Sequence, residues 1–189
     1  MSTVLYNQLT LFMNPRLEAK YLQLEKSRNR LLDKLEVYDE AILTAQPTEG
    51  KWSVMEIIAH LIQVDELTLS YIQHKVKKEN ELKAASFSSE LYTILLKLAL
   101  KSGMKFKAPS SIATLASYGE DLQTLRQKWN EVRYQLEDML TDLPAQVLDK
   151  AIFRHPRVGM LTINQTLTFL QDHFDHHMPQ VNALIPKNG

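Results

Sequence analysis

The chain has 189 residues, of which 44% are hydrophobic, and its 22 basic residues are balanced by 22 acidic ones. This length fits one globular domain with a sizeable buried core. A formal charge of zero, with scattered basic residues, leaves no electrostatic footprint for a phosphate backbone or an anionic membrane, so we expect neither nucleic acid nor membrane among its partners.

The chain contains no cysteine, which excludes disulfide bonds, thiolate metal sites and a cysteine nucleophile. Any transition-metal site must therefore use histidine and carboxylate ligands. Residues 1–14 lack the basic region and long apolar stretch of a secretion signal, and no later segment is apolar enough to span a bilayer. We therefore predict a soluble, cytoplasmic protein.

The first predicted helix runs from Arg16 to about Thr44, after an N-terminal extension at residues 1–14. Its apolar residues recur every three or four positions, which is typical of a bundle helix, and Arg28 fills the one missing apolar position. The apolar residues are Leu17, Tyr21, Leu24, Leu31, Leu35, Tyr38 and Ile42. A turn-forming segment at 46–50 ends the helix.

The second predicted helix begins at Ser53. Glu56 stands three residues later, so each side chain can satisfy the free backbone N–H of the other residue. The apolar stripe that follows fades at 75–83, and residues 86–111 are predicted to form an irregular crossover. Within it, residues 91–100 fit a short helix, either as a homodimer contact or folded back on its own domain.

The third predicted helix runs from about Ala113 to Leu143 and is closed by Pro144. A connector at 145–161 with a short extended piece follows. Four amphipathic segments with little strand signal predict one all-α domain over residues 1–189, with the architecture of a four-helix bundle.

The fourth predicted helix starts with a second capping box, Thr162 with Gln165, and runs to about Leu184. Pro179 predicts a kink in its last turns, because proline cannot donate the backbone hydrogen bond of a helix.

Three of the six histidines lie in this fourth helix. His173 and His177 are four positions apart and share a face with Thr166 and Leu170, so we expect both to point toward the bundle interior. His176 is turned about 100° away from that face.

His60 lies in the apolar run of the second helix, where a buried imidazole needs a partner. We predict that His60, His173 and His177 bind one divalent metal ion. The alternatives are a hydrogen-bonded core histidine at position 60 and a surface pair on the fourth helix. His74, among lysines, is predicted to be exposed, and His155 is predicted to be a loop residue.

Three segments carry motifs, which follow one another along the chain in a fixed order. Residues 50–61 read G-K-W-S-V-M-E-I-I-A-H-L, residues 155–162 read H-P-R-V-G-M-L-T, and residues 173–181 read H-F-D-H-H-M-P-Q-V. The set resembles the DinB/YfiT family of metal-binding four-helix proteins, with its W-S-x-x-E-x-x-x-H-L, H-P-x-x-G-x-L-T and H-x-x-x-H-x-x-Q-I patterns. The resemblance implies an up-down-down-up bundle, a long crossover between helices two and three, and a site made of the same three histidines.

Three imidazoles with an open fourth position are typical of a catalytic metal site. Zinc or nickel is the expected ion, with iron or manganese also open. The resemblance implies a metal-dependent thiol S-transferase that activates a low-molecular-weight thiol, such as bacillithiol, for attack on a small electrophile, or a hydrolase that activates water. The alternatives are a metal-stabilised binding or stress-response module without turnover and a helical interaction protein whose histidines never meet.

Two polar residues are candidates for outer contacts to the metal ligands. Gln180 and Glu56 each share a helical face with a predicted ligand, although Glu56 is also the capping residue. Asp65 and Glu66 are expected at a solvated edge, and no catalytic residue is assigned.

Overall fold

A computed structural model of the chain describes residues 12–84, 119–156 and 159–186. The helices are α1 (Pro15–Leu35), α2 (Glu40–Thr44), α3 (Val54–Val76), α4 (Leu122–Thr141) and α5 (Ile163–Leu184), with short 3-10 turns at Glu79–Glu81 and Ala145–Val147. One antiparallel hairpin, β1 (Phe153–His155) with β2 (Gly159–Leu161), precedes α5. The described part is mostly helical, which confirms the all-α class. The predicted crossover helix at 91–100 lies outside the described residues.

The four long helices enclose one hydrophobic core. The most extensive packing joins α3 to α4 and α1 to α5, while α3 also packs on α5 and α1 on α4. Each long helix therefore has two helical neighbours, as in a four-helix bundle. Among the described residues, no helix is long and apolar enough to cross a membrane.

Side-chain contacts give the relative directions of three helices. Lys20 of α1 donates to the carbonyl of Asn164 at the start of α5, and Lys34 donates to Asn182 at its end, so these helices run the same way. Arg126, early in α4, pairs with Glu36 just after α1, so α4 runs against α1. The complete up-down-down-up order stays a prediction.

Both predicted capping boxes are confirmed. The Ser53 hydroxyl accepts from the Glu56 backbone N–H at 3.2 Å, and the Glu56 carboxylate accepts from the Ser53 N–H at 2.7 Å. Thr162 and Gln165 make the same exchange at the start of α5, at 3.2 and 2.9 Å. These caps fix where the two histidine-bearing helices begin.

The prediction of one continuous helix from Arg16 to Thr44 is wrong. The chain leaves helical geometry after Leu35 and restarts at Glu40, with Asp39 in an extended conformation as the N-cap of α2. No glycine or proline marks the break. Val37 and Asp39 are poor helix formers, and Val37 is 72% exposed, so little packing holds a helix together there.

The predicted start of the third helix is also wrong. Within the described residues, α4 begins at Leu122, because Gly119 has a φ of 101° and the Asp121 side chain caps the first turn by accepting from Thr124 N–H. The predicted extended piece in the connector is confirmed by the β1–β2 hairpin. α5 continues through Pro179 to Leu184.

Candidate metal centre

Three imidazoles from two helices meet at one point between α3 and α5. His60 lies in the second turn of α3, and His173 and His177 lie one turn apart on α5. The Nε2 atom of His173 is 3.2 Å from Nε2 of His60 and 3.3 Å from Nε2 of His177. The structure therefore brings together the three histidines that the sequence singled out. We call them the histidine triad.

The spacing of these nitrogens fits a metal ion. Zinc–nitrogen bonds of about 2.0–2.1 Å in tetrahedral geometry place neighbouring ligand atoms about 3.3 Å apart. The two measured Nε2 separations match that edge length. Within the described residues, the triad is the one group of three or more potential ligands close enough to share an ion, with all ligand atoms within 4.8 Å of one another.

Burial keeps the imidazoles neutral. It lowers the pKa of His60 to about 4, with a smaller contribution from the neighbouring His177. It also lowers the pKa of His177 to about 4, although the bond to Gln180 opposes the shift. The pKa of His173 is lowered well below its ordinary value by burial and then by the other histidines. Neutral rings are the form that binds metals, because only they have a free nitrogen lone pair.

Gln180 fixes the orientation of one ligand. His177 Nδ1 donates to the Gln180 side-chain oxygen at 3.0 Å, which leaves the Nε2 lone pair facing the triad. The other outer-contact candidate, Glu56, has a different role. Its carboxylate accepts from the Ser53 backbone and from Gln46 Nε2 at 3.0 Å, so it holds the start of α3.

Aromatic rings pack against all three members of the triad. The Trp52 indole packs on His60 and His177, with ring centroids 4.8 and 6.2 Å apart. The centroid of the Phe169 ring lies 5.8 Å from that of His173. This environment is largely apolar, which strengthens any electrostatic interaction made inside it.

The remaining histidines have mixed outcomes. His74 is exposed, as predicted, and His176 lies beside His177 but outside the triad. The prediction that His155 is a loop residue is wrong. It ends β1 opposite Gly159, is 7% exposed, and packs its ring on Phe169 at 4.7 Å. The His155-Pro156 pair is typical of a loop. His155 is nevertheless in a strand, because β1 pairs with β2 at this position.

The expectation that Asp65 lies at a solvated edge is wrong. Asp65 is 6% exposed, and its carboxylate accepts from Trp129 Nε1 at 2.7 Å and pairs with Arg133 at 2.9 Å. Glu66 is exposed, as expected. The signal for Asp65 was its position on the apolar stripe of α3, four residues after Leu61.

A helical bundle with a buried histidine triad defines the class of the protein. The chain belongs to the DinB superfamily, whose family model matches residues 23–181. It is 25% identical over 149 residues to the uncharacterized protein YuaE of Bacillus subtilis (strain 168), which covers 77% of this chain and 84% of YuaE.

A solved structure shares the fold. The chain is similar to YfiT from Bacillus subtilis, which is described as a probable metal-dependent hydrolase with an unusual four-helix bundle topology. The TM-score is 0.58 and the identity 18%, over 95% of this chain and 91% of YfiT. At this identity the likeness establishes the fold.

Proposed function

We propose that the chain is a metal-dependent enzyme that binds one divalent ion through His60, His173 and His177 and activates a low-molecular-weight thiol or water. The observation that supports the proposal is the convergence of three imidazoles whose ligand atoms lie within 4.8 Å of one another, two of the Nε2 separations matching the edge of a zinc tetrahedron. Zinc or nickel is the expected ion, and iron and manganese are the other candidates.

The three-histidine donor set favours a reactive metal site with a free coordination position over a fully coordinated structural site. A divalent ion with three protein ligands can lower the pKa of a bound water or thiol, so that the nucleophile forms near neutral pH. Within the described residues, no carboxylate joins the three rings, so the ligands do not neutralise the charge of the ion. The remaining positive charge favours binding of the thiol or water in its deprotonated form.

A thiol nucleophile must come from outside the protein, because the chain contains no cysteine. We therefore propose transfer of a small thiol to an electrophilic substrate, as the resemblance to the DinB/YfiT family implies. Activation of water is the alternative reaction at the same site, and the description of YfiT as a probable metal-dependent hydrolase supports it.

The first experiment measures metal binding. Untagged protein should carry about one zinc or nickel ion per chain, and His173→Ala should carry none. His74→Ala is the matched control, because His74 is exposed and outside the triad. Zinc at 100 times its dissociation constant should raise the free energy of unfolding of wild type and of His74→Ala by about 2.7 kcal/mol. It should not stabilise His173→Ala. Metal-free wild type that stays metal-free in zinc would refute the proposal.

The second experiment measures turnover. Zinc-loaded and nickel-loaded protein is assayed with small thiols against a panel of electrophiles, and with hydrolysable esters and amides in the absence of thiol. We expect activity that requires the metal and disappears in His173→Ala. A metal-loaded protein without activity in either panel would favour the alternative, a metal-stabilised binding module in which the ion links α3 to α5.

A further inference from the structure

The Nδ1 atoms of two triad rings differ in their hydrogen bonding. Nδ1 of His177 donates to Gln180. Nδ1 of His60 is also buried, but within the described residues no hydrogen-bond partner lies on it. The χ2 torsion of histidine is broad and nearly two-fold, so a ring without this bond needs another restraint to keep Nε2 turned toward the triad.

The Trp52 indole provides a restraint by packing. Its ring centroid lies 4.8 Å from that of His60 at an interplanar angle of 46°, and 6.2 Å from that of His177 at 23°. Both distances lie in the range of about 4.5–7 Å in which tilted or offset aromatic pairs attract each other. Trp52 is itself anchored, because it directly precedes Ser53, whose capping box fixes the start of α3.

We propose that Trp52 is a positioning residue of the metal centre, which holds the His60 imidazole by ring packing where Gln180 holds His177 by a hydrogen bond. The proposal rests on the proposed metal-binding function. Loss of an outer partner of a metal-ligating histidine typically lowers metal affinity about 10–100-fold, so loss of the indole should weaken zinc binding about tenfold.

The competing explanation is a role in starting the helix. An apolar residue before an N-cap often packs on the first helical turn, and a leucine would serve that purpose as well as a tryptophan. Trp52→Leu therefore keeps an apolar side chain but removes the aromatic face, and Trp52→Phe keeps an aromatic face. Tyr134→Leu is the matched control, because Tyr134 is 61% exposed on α4.

Zinc affinity is measured by competition with a chromogenic chelator. We expect Trp52→Leu to bind zinc about tenfold more weakly than wild type, and Trp52→Phe and Tyr134→Leu to stay within about threefold of it. Equal zinc affinity of Trp52→Leu and wild type would overturn the positioning role. It would leave the proposed metal binding intact.

A measurement on metal-free protein tests the same role independently. Nuclear Overhauser contacts between the ring protons of His60 and His173 report whether the two rings still face each other. We expect these contacts in wild type and Trp52→Phe and their loss in Trp52→Leu. Wild type that shows the contacts but binds no zinc would refute the proposed function alone, whereas full contacts in Trp52→Leu would refute the role of Trp52.

Discussion

Among the described residues, two clusters of ionisable side chains from different helices are buried in the bundle, and they differ in charge. The histidine triad joins α3 to α5 through neutral rings. A second cluster, which we call the buried ion network, consists of Glu25, Arg28, Asp65 and Arg133 and joins α1, α3 and α4 through full charges. Both clusters lie in the one hydrophobic core, so water is excluded from both.

The charges of the ion network cancel within the network. Arg28 pairs with Glu25 at 2.7 Å, and Arg133 pairs with Asp65 at 2.9 Å and approaches Glu25 at 3.9 Å. Burial raises the pKa of Asp65 and of Glu25, and the arginines oppose that shift. Because its charges balance, the cluster needs no counter-charge from a ligand.

The triad lacks such internal balance. The Nε2 atom of His173 lies 3.2 Å from that of His60 and 3.3 Å from that of His177, and three nitrogens of neutral rings cannot all satisfy one another by hydrogen bonds. The comparison therefore separates a region that stabilises the bundle from one that is suited to bind an ion. Mutations in the ion network should therefore lower stability and leave metal binding unchanged, whereas mutations around the triad should mainly lower metal affinity.

The largest expected effect belongs to the ion network. Arg133→Met removes the partner of Asp65 and leaves its buried charge unpaired, so the free energy of unfolding should fall by about 3–5 kcal/mol. Urea denaturation measures this, and the folded variant should bind zinc with the stoichiometry of wild type.

Arg126→Met is the control for that variant. Arg126 pairs with Asp33 and Glu36, whose side chains are 68% and 54% exposed, so its loss should cost less than about 1 kcal/mol. If Arg133→Met were as stable as Arg126→Met, the network would not hold the bundle together.

The pH dependence of stability should come from the triad. The folded pKa of His60 and of His177 is about 4, below the unfolded value near 6.5, so the unfolded chain binds the extra protons between these pH values. The free energy of unfolding of metal-free protein should therefore fall as pH falls through this window, by about 1.6 kcal/mol per ring between pH 6.5 and 5. Asp65 and Glu25 have raised pKa values, so acid acts on them in the opposite direction.

Urea denaturation in a chelator at several pH values tests this assignment. His60→Leu should remove about one ring's share of the acid sensitivity, whereas His74→Leu, at an exposed position on the same helix, should keep all of it. An equally steep pH dependence in His60→Leu and wild type would show that the acid sensitivity arises elsewhere.

The two regions also differed in how far the sequence predicted them. His173 and His177 were predicted because their spacing is local and equals about one helical turn. His60 is 113 positions from His173, and it was predicted from its place in an apolar run together with the family motifs. The capping boxes were predicted for the same reason as the pair on α5, since each depends on four consecutive residues.

The ion network could not be assembled from local patterns. Arg28 occupies an apolar position in the pattern of the first helix, but the side chains that it contacts depend on how α1, α3 and α4 are aligned. Asp65 was expected at a solvated edge, whereas its partner Trp129 lies 64 positions away in the sequence. The break after Leu35 was missed because no proline or glycine marks it, and the packing around it decides the outcome.

The smallest expected effect is the sharpest test of the comparison. Gln180 is exposed, yet its oxygen accepts from His177 Nδ1 at 3.0 Å. Gln180→Leu should lower zinc affinity by at least about tenfold, or about 1.4 kcal/mol, because the His177 ring loses the bond that orients it. Its free energy of unfolding without metal should fall by only about 1 kcal/mol, because the buried His177 ring loses one hydrogen bond while the Gln180 side chain itself is at the surface.

Chelator competition measures the affinity, and Gln135→Leu, at an exposed position on α4, is the matched control. Arg133→Met would then lose stability and keep metal binding, while Gln180→Leu would bind zinc more weakly and keep most of its stability. If Gln180→Leu bound zinc like wild type, packing alone would orient His177, as we propose for His60. The triad would then be held by its aromatic surroundings, and the distinction between a hydrogen-bonded ligand and a packed one would disappear.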